Sequence, residues 1–167
     1  AFHPDCRRVL TGSEVGGILQ SSGAEVRVWD QAVTQVSADA TLRHDDDVQT
    51  LAISPDGNLI ATGCDDHRVR LWSAEHGKLV LPPVLLGEPV AEVSFHADGD
   101  VLFARGATRT VAAWDVSTGN PIGTPIRVET ELADAAMSPD GQFIATTGKD
   151  GSVQQWDART GKRMTNV

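Results

Sequence analysis

The sequence predicts an all-β chain of small antiparallel sheets stacked one on the next, and three observations carry that prediction. The four tryptophans, Trp29, Trp72, Trp114 and Trp156, are spaced by 43, 42 and 42 residues in a chain of 167. A turn sequence recurs 18 residues before three of them: SPDG from Ser54, HADG from His96 and SPDG from Ser138. Between these marks no segment has apolar residues at helical spacing, whereas short alternating runs are frequent.

Each unit reads in the same order. An apolar run ("VQTLAIS", "VAEVSFH", "LADAAMS") leads into the Asp-Gly turn, whose glycine supplies the positive φ of a tight hairpin. A second run follows ("NLIATG", "VLFARG", "QFIATT"), then another turn, then a strand ending at the tryptophan: "EVRVW", "RVRLW", "TVAAW", "SVQQW". A fourth run such as "KLVLPPV" or "KRMTNV" completes four strands per unit. One such sheet is too small to hold itself together, so burial has to come from stacking sheet faces, which is the plan of propeller blades.

The 42-residue period, the Ser-Pro-Asp-Gly turns and the strand-ending "WDQ", "WDV" and "WDA" resemble WD repeats. The fold implied is a WD-repeat β-propeller, partial or open, of about four four-stranded antiparallel blades. The units divide as residues 1–36, 37–84, 85–126 and 127–167, all of one propeller domain or fragment. The first unit starts inside its inner strand and has eight extra residues within 12–24, an extended hairpin or a binding loop. The chain is expected to be part of a longer ring, the alternative being an open arc that self-associates through its exposed end faces.

The resemblance also implies a structural network in the second unit. His44, Thr62 and Asp66 stand 28, ten and six residues before Trp72, the spacing at which such repeats bring His, hydroxyl, Asp and indole together. In the fourth unit Thr146, Asp150 and Trp156 match, with Val128 at the His position. The third keeps only Trp114, with Leu86, Ala104 and Thr108 at the other places. A hydroxyl, a His and an Asp invite comparison with a catalytic triad, but threonine is a rare nucleophile and the structural role is expected; no catalytic residue is assigned.

Composition narrows the function. Lys and Arg number 14 against 23 Asp and Glu, a net charge of −9, so the basic stripe that binds nucleic acid is missing. No apolar run reaches the ~20 residues of a membrane-spanning helix, and the chain does not start like a secretory signal. Cys6 and Cys64 have no metal-ligand spacing and suggest no disulfide framework, which favours a cytoplasmic setting. The acidic stretches "RHDDD" and "DDH" could suit a hard cation but lack calcium-loop spacing, and "GSEVGG" lacks the Lys-Ser/Thr of a phosphate loop; neither a metal nor a cofactor is expected.

The expected function is therefore a non-catalytic scaffold that displays loops to protein or peptide partners. Asp45, Asp46, Asp65, His67, Glu88 and Lys149 are the candidate partner-facing residues. The alternative, suggested by the Pro-containing units "GKLVLPP" and "GNPIGTP", is a sensory or regulatory arm of a larger bacterial signalling protein with a kinase or ATPase domain.

Overall fold

The computed structural model describes residues 8–15, 23–30 and 38–164, with side chains from Leu42 onward. These residues form fourteen strands and no helix. The first sheet holds β1 (Arg8–Val15), β2 (Gly23–Asp30) and β3 (Ala38–Arg43). The second holds β4 (Val48–Ile53), β5 (Leu59–Cys64), β6 (Arg68–Ser73) and β7 (Val84–Leu85). The third holds β8 (Val90–Phe95), β9 (Val101–Gly106), β10 (Thr110–Asp115) and β11 (Ile126–Arg127). The fourth holds β12 (Leu132–Met137), β13 (Phe143–Gly148) and β14 (Val153–Asp157), and Arg163 bridges to Trp156 beyond them. Every pairing is antiparallel between chain neighbours, as a set of meanders requires.

One strand lies on the other side of an expected boundary. Ala38–Arg43, assigned from sequence to the second unit, pairs with β2 and closes the first sheet. The fourth strand is contributed just ahead of the next inner strand, so the chain crosses between sheets at residues 44–47 rather than at 36/37. In the first unit the extra residues lengthen the hairpin: Gly12 pairs with Val26 and Val15 with Gly23. Residues 16–22 of that insertion, the opening "AFHPD" and the final 165–167 lie outside the described residues.

The Asp-Gly turns close by a repeated pattern. Ser54 Oγ donates to Asp56 Oδ1 at 2.6 Å and accepts from Leu59 N–H at 2.9 Å, with Gly57 at φ 75°. Ser138, Asp140 and Phe143 repeat this at 2.5 and 3.1 Å, with Gly141 at φ 66°. In the third unit His96 replaces the serine, and its Nε2–H donates to the Pro139 carbonyl of the fourth at 2.6 Å. A turn device has become a tie between neighbouring sheets.

Stacking provides the core. Ala61, Val69 and Leu71 of the second sheet meet Val90, Val93, Leu102, Ala104 and Trp114 of the third. Phe103, Val111 and Ile126 of the third meet Leu132, Ala135 and Ile144 of the fourth. Each fully buried Val, Leu, Ile or Phe contributes about 1.5–3 kcal/mol over exposure. The second and third sheets approach closely because Gly63 presents no side chain: a Cβ there would overlap the Val90 side chain. Gly63→Ala should lower the unfolding free energy by about 1–3 kcal/mol, read as a lower urea midpoint with unchanged slope, since overpacking at a rigid sheet face cannot relax locally.

Candidate functional site

At one end of the second, third and fourth sheets, the loop entering the inner strand meets the turn between the second and third strands. The same backbone bond ties them each time: Asp65 N–H to Asp47 O at 2.9 Å, Ala107 N–H to Pro89 O at 2.8 Å and Lys149 N–H to Glu131 O at 2.8 Å. This end carries every residue singled out as a partner-facing candidate.

The second sheet shows the network in full. Trp72 Nε1–H donates to Thr62 Oγ1 at 2.9 Å, and Thr62 Oγ1 lies 2.8 Å from His44 Nε2. His44 Nδ1 is 3.0 Å from the Leu42 carbonyl, which can only accept, so Nδ1 carries the proton and Nε2 accepts from the threonine. Indole, hydroxyl and imidazole thus form a one-way chain of donors, all buried, with the two rings edge to face at 5.3 Å. Asp66, expected beside this chain, accepts from Arg68 N–H at 3.0 Å and from Arg70 Nη2 at 2.5 Å. Burial would raise its pKa, but the Arg70 hydrogen bond and charge outweigh that and hold it below the usual value. In the fourth sheet Trp156 Nε1–H reaches Thr146 Oγ1 at 2.9 Å, while Asp150 accepts from Ser152 N–H at 3.0 Å.

The partner-facing candidates divide. Asp45 is exposed and its Oδ2 lies 3.3 Å from Arg70 Nη2. Asp65 is half-buried and accepts from Gln49 Nε2 at 2.7 Å. Asp46 is half-buried; its carbonyl accepts from the thiol of Cys64, whose pKa burial pushes up. His67 is half-buried at φ 67°, a left-handed position that Gly151 fills in the fourth sheet. Lys149 is exposed and pairs with Glu131 at 2.8 Å.

Glu88 does not belong on the exposed face. It is buried, and its carboxylate accepts from the Thr108 hydroxyl, from Arg109 N–H at 3.0 Å and from Thr110 N–H at 2.6 Å. By register Thr108 stands where Asp66 and Asp150 stand in the neighbouring sheets, and Thr110 where Arg68 and Ser152 stand. Glu88 therefore does from the incoming loop what those aspartates do from the turn. The fourth sheet has the reverse arrangement, with the Thr130 hydroxyl on the loop bonded to Asp150 on the turn. Gly106 makes the room: a Cβ there would run into the Glu88 carboxylate. Sequence reasoning missed this exchange, though a loop Glu opposite a turn Thr was its visible signal. It also missed Arg70, whose alternation with Arg68 and Trp72 in "RVRLW" puts the three on one sheet face.

Stacked antiparallel meanders on a 42-residue repeat define a β-propeller architecture. The family model described as WD domain, G-beta repeat, matches residues 37–73 and 128–157, which identifies those two stretches as WD repeats. Coronin-7 of Homo sapiens is 35% identical over 109 residues, 63% of this chain and 11% of that protein. The guanine nucleotide-binding protein subunit beta of Arabidopsis thaliana is 31% identical over 100 residues, 57% of this chain and 26% of that one. A ribosome biogenesis protein, the BOP1 homolog of Leishmania braziliensis, is 40% identical over 52 residues, 31% of this chain and 7% of its own length. The chain thus spans at most 26% of these relatives.

Two predictions follow from the hydrogen bonds. Thr62→Val leaves both the Trp72 indole N–H and His44 Nε2 without the hydroxyl, and should cost about 1–3 kcal/mol in urea unfolding. Thr146→Val removes a single partner from the half-buried Trp156 and should cost less. Glu88 titrates in a known direction: burial raises its pKa, but the Thr108 hydroxyl and the two N–H groups outweigh burial and leave it lowered from 4.5. Its stabilising contribution is therefore complete above that value and is lost as pH falls through the lower folded-state value. Glu88→Gln should be less stable at pH 7 and should lose less on acidification below 4.5, as read by denaturation midpoints across pH.

Proposed function

We propose that the chain is a non-catalytic interaction scaffold whose loop end docks a protein or peptide of basic character. One observation carries this reading: Asp45 stands exposed, with Asp46 and Asp65 half-buried close by, on loops fixed by repeated backbone bonds and by Arg70 beneath them. Such loops keep their geometry without a partner, so binding need not include the cost of ordering them. The hydroxyl–imidazole pair of Thr62 and His44 is buried and already engaged by an indole, which suits a structural role rather than attack on a substrate. WD repeats generally mediate protein–protein interaction, which is the coarser frame of this proposal.

The test is charge reversal on the loop end. The chain and an Asp45→Lys/Asp65→Lys variant with the same unfolding midpoint should be compared in quantitative capture experiments at low salt and at about 0.5 M salt. Partners held through this face should be lost by the variant and weakened by salt. Equal capture by both proteins, at both salt levels, would rule the loop end out as the docking surface.

A further inference from the structure

Along the inner strands the joint between the second and third sheets is closed, whereas the joint between the third and fourth opens there. Register identifies the reason. The cross-strand pair Thr50–Gly63 in the second sheet corresponds to Glu92–Arg105 in the third and Asp134–Thr147 in the fourth. At the first joint Thr50 Oγ1 accepts from Val93 N–H of the next inner strand at 3.3 Å, and Gly63 lets Val90 close in. At the second joint Glu92 turns to its own cross-strand neighbour, Arg105 Nε, at 3.1 Å. The donor equivalent to Val93, Ala135 N–H, is taken by its own Asp134 Oδ1 at 2.8 Å. The inter-sheet bond is gone, and a large ion pair stands where a Thr and a Gly allowed contact.

What opens is a cleft of about 300 Å³ between β8 and β12, at the small end of the range for ligand pockets. Phe95, Phe103, Ala136 and Met137 line it with apolar surface, and Glu92 and His96 add polar groups. The strands on either side, β8 and β12, are the inner strands and have a free edge in the sheet order. Acidic groups adjoin the cleft: Asp98 Oδ2 and Asp100 Oδ1 lie 3.7 and 3.6 Å from Nδ1 of the lining His96, and Asp134 and Asp140 are chain neighbours of the lining Ala135 and Pro139, all four exposed. Arg105 is already paired with Glu92, and His96 Nε2 is committed to Pro139.

We propose that this cleft is a second binding site, which takes an arginine or lysine side chain from an extended basic segment of a partner protein. An aliphatic stem would lie on Phe95, Ala136 and Met137, while its head reaches the carboxylates beside His96. Two free strand edges offer backbone bonds to an extended chain. The site lies along the inner strands towards the Asp-Gly turns, at the opposite end from the loop face, so it stands or falls separately from that reading.

The experiment is an NMR titration of the nitrogen-15-labelled 167-residue chain with a pentapeptide carrying a central arginine between leucines, and with its glutamate counterpart. The arginine peptide should shift the resonances of Glu92, Phe103 and Met137, and the glutamate peptide should not. Glu92→Gln should weaken binding about tenfold. Ala136→Trp, which fills the cleft, should abolish it, while the Asp45→Lys/Asp65→Lys variant should bind as the parent does. Shifts confined to the loop end, equal response to both peptides, or full binding by Ala136→Trp would each overturn the proposal. If Ala136→Trp fails to fold, unchanged affinity in Glu92→Gln overturns it alone.

Discussion

The structure depends on a carboxylate that caps the turn between the second and third strands in the second, third and fourth sheets. Asp66, Glu88 and Asp150 each accept from the N–H at the same register position, Arg68, Thr110 and Ser152, at 3.0, 2.6 and 3.0 Å. A turn needs such a partner because its backbone donors cannot find one in the ladder. Fixing this turn also fixes the loop entering the inner strand, through the bond from Asp65, Ala107 or Lys149 N–H. The inner strand and the turn are thereby held together at one end of these three sheets, and the exposed loop residues inherit that rigidity.

Between sheets the constraint is different in kind. Apolar faces press together without direction, so the closeness of a joint is decided by the few residues that protrude or make room. Gly63 and Thr50 draw two sheets together; Glu92 and Arg105 hold two apart. His96 then ties the looser pair at its far end through the Pro139 carbonyl. A stack of near-identical units thus carries unlike joints, and it is this unlikeness, more than the repeat, that gives the surface features to recognise.

Much of the fold was legible in the sequence because its signals are local and repeated. The tryptophan spacing, the Asp-Gly turns and the period-two runs each report on a few neighbouring residues. The hydroxyl ten residues before Trp72 and Trp156 could be placed for the same reason: strand register fixes it across from the indole. Three features were not legible. The first boundary was misplaced because a short outer strand lacks a signal of its own, and Ala38–Arg43 reads equally well as the start of the next unit. Arg70 was overlooked because an arginine on a strand is ordinarily exposed, whereas here Asp66 and Asp45 allow its burial. Glu88 was assigned to the surface because glutamate in a Gly-Pro loop ordinarily is solvated; its partners lie about 20 residues away, beyond the reach of local pattern.

The exchange between Glu88 and the turn aspartates bears on how such units can change over generations. Starting from the third sheet, losing the loop Glu first leaves a turn with no acceptor. Gaining an aspartate at Thr108 first places two carboxylates in one small site, where each disfavours ionisation of the other. The second sheet has acids at both places, Asp46 and Asp66; there the Asp46 carboxylate turns to Asp47 N–H at 2.9 Å, and Arg70 pairs with Asp66. The third sheet has Ala112 where Arg70 would be. Its turn therefore lacks, on the very strand that leaves it, the cation that holds the turn aspartate of the second sheet, and the path back to the commoner arrangement runs through that third position.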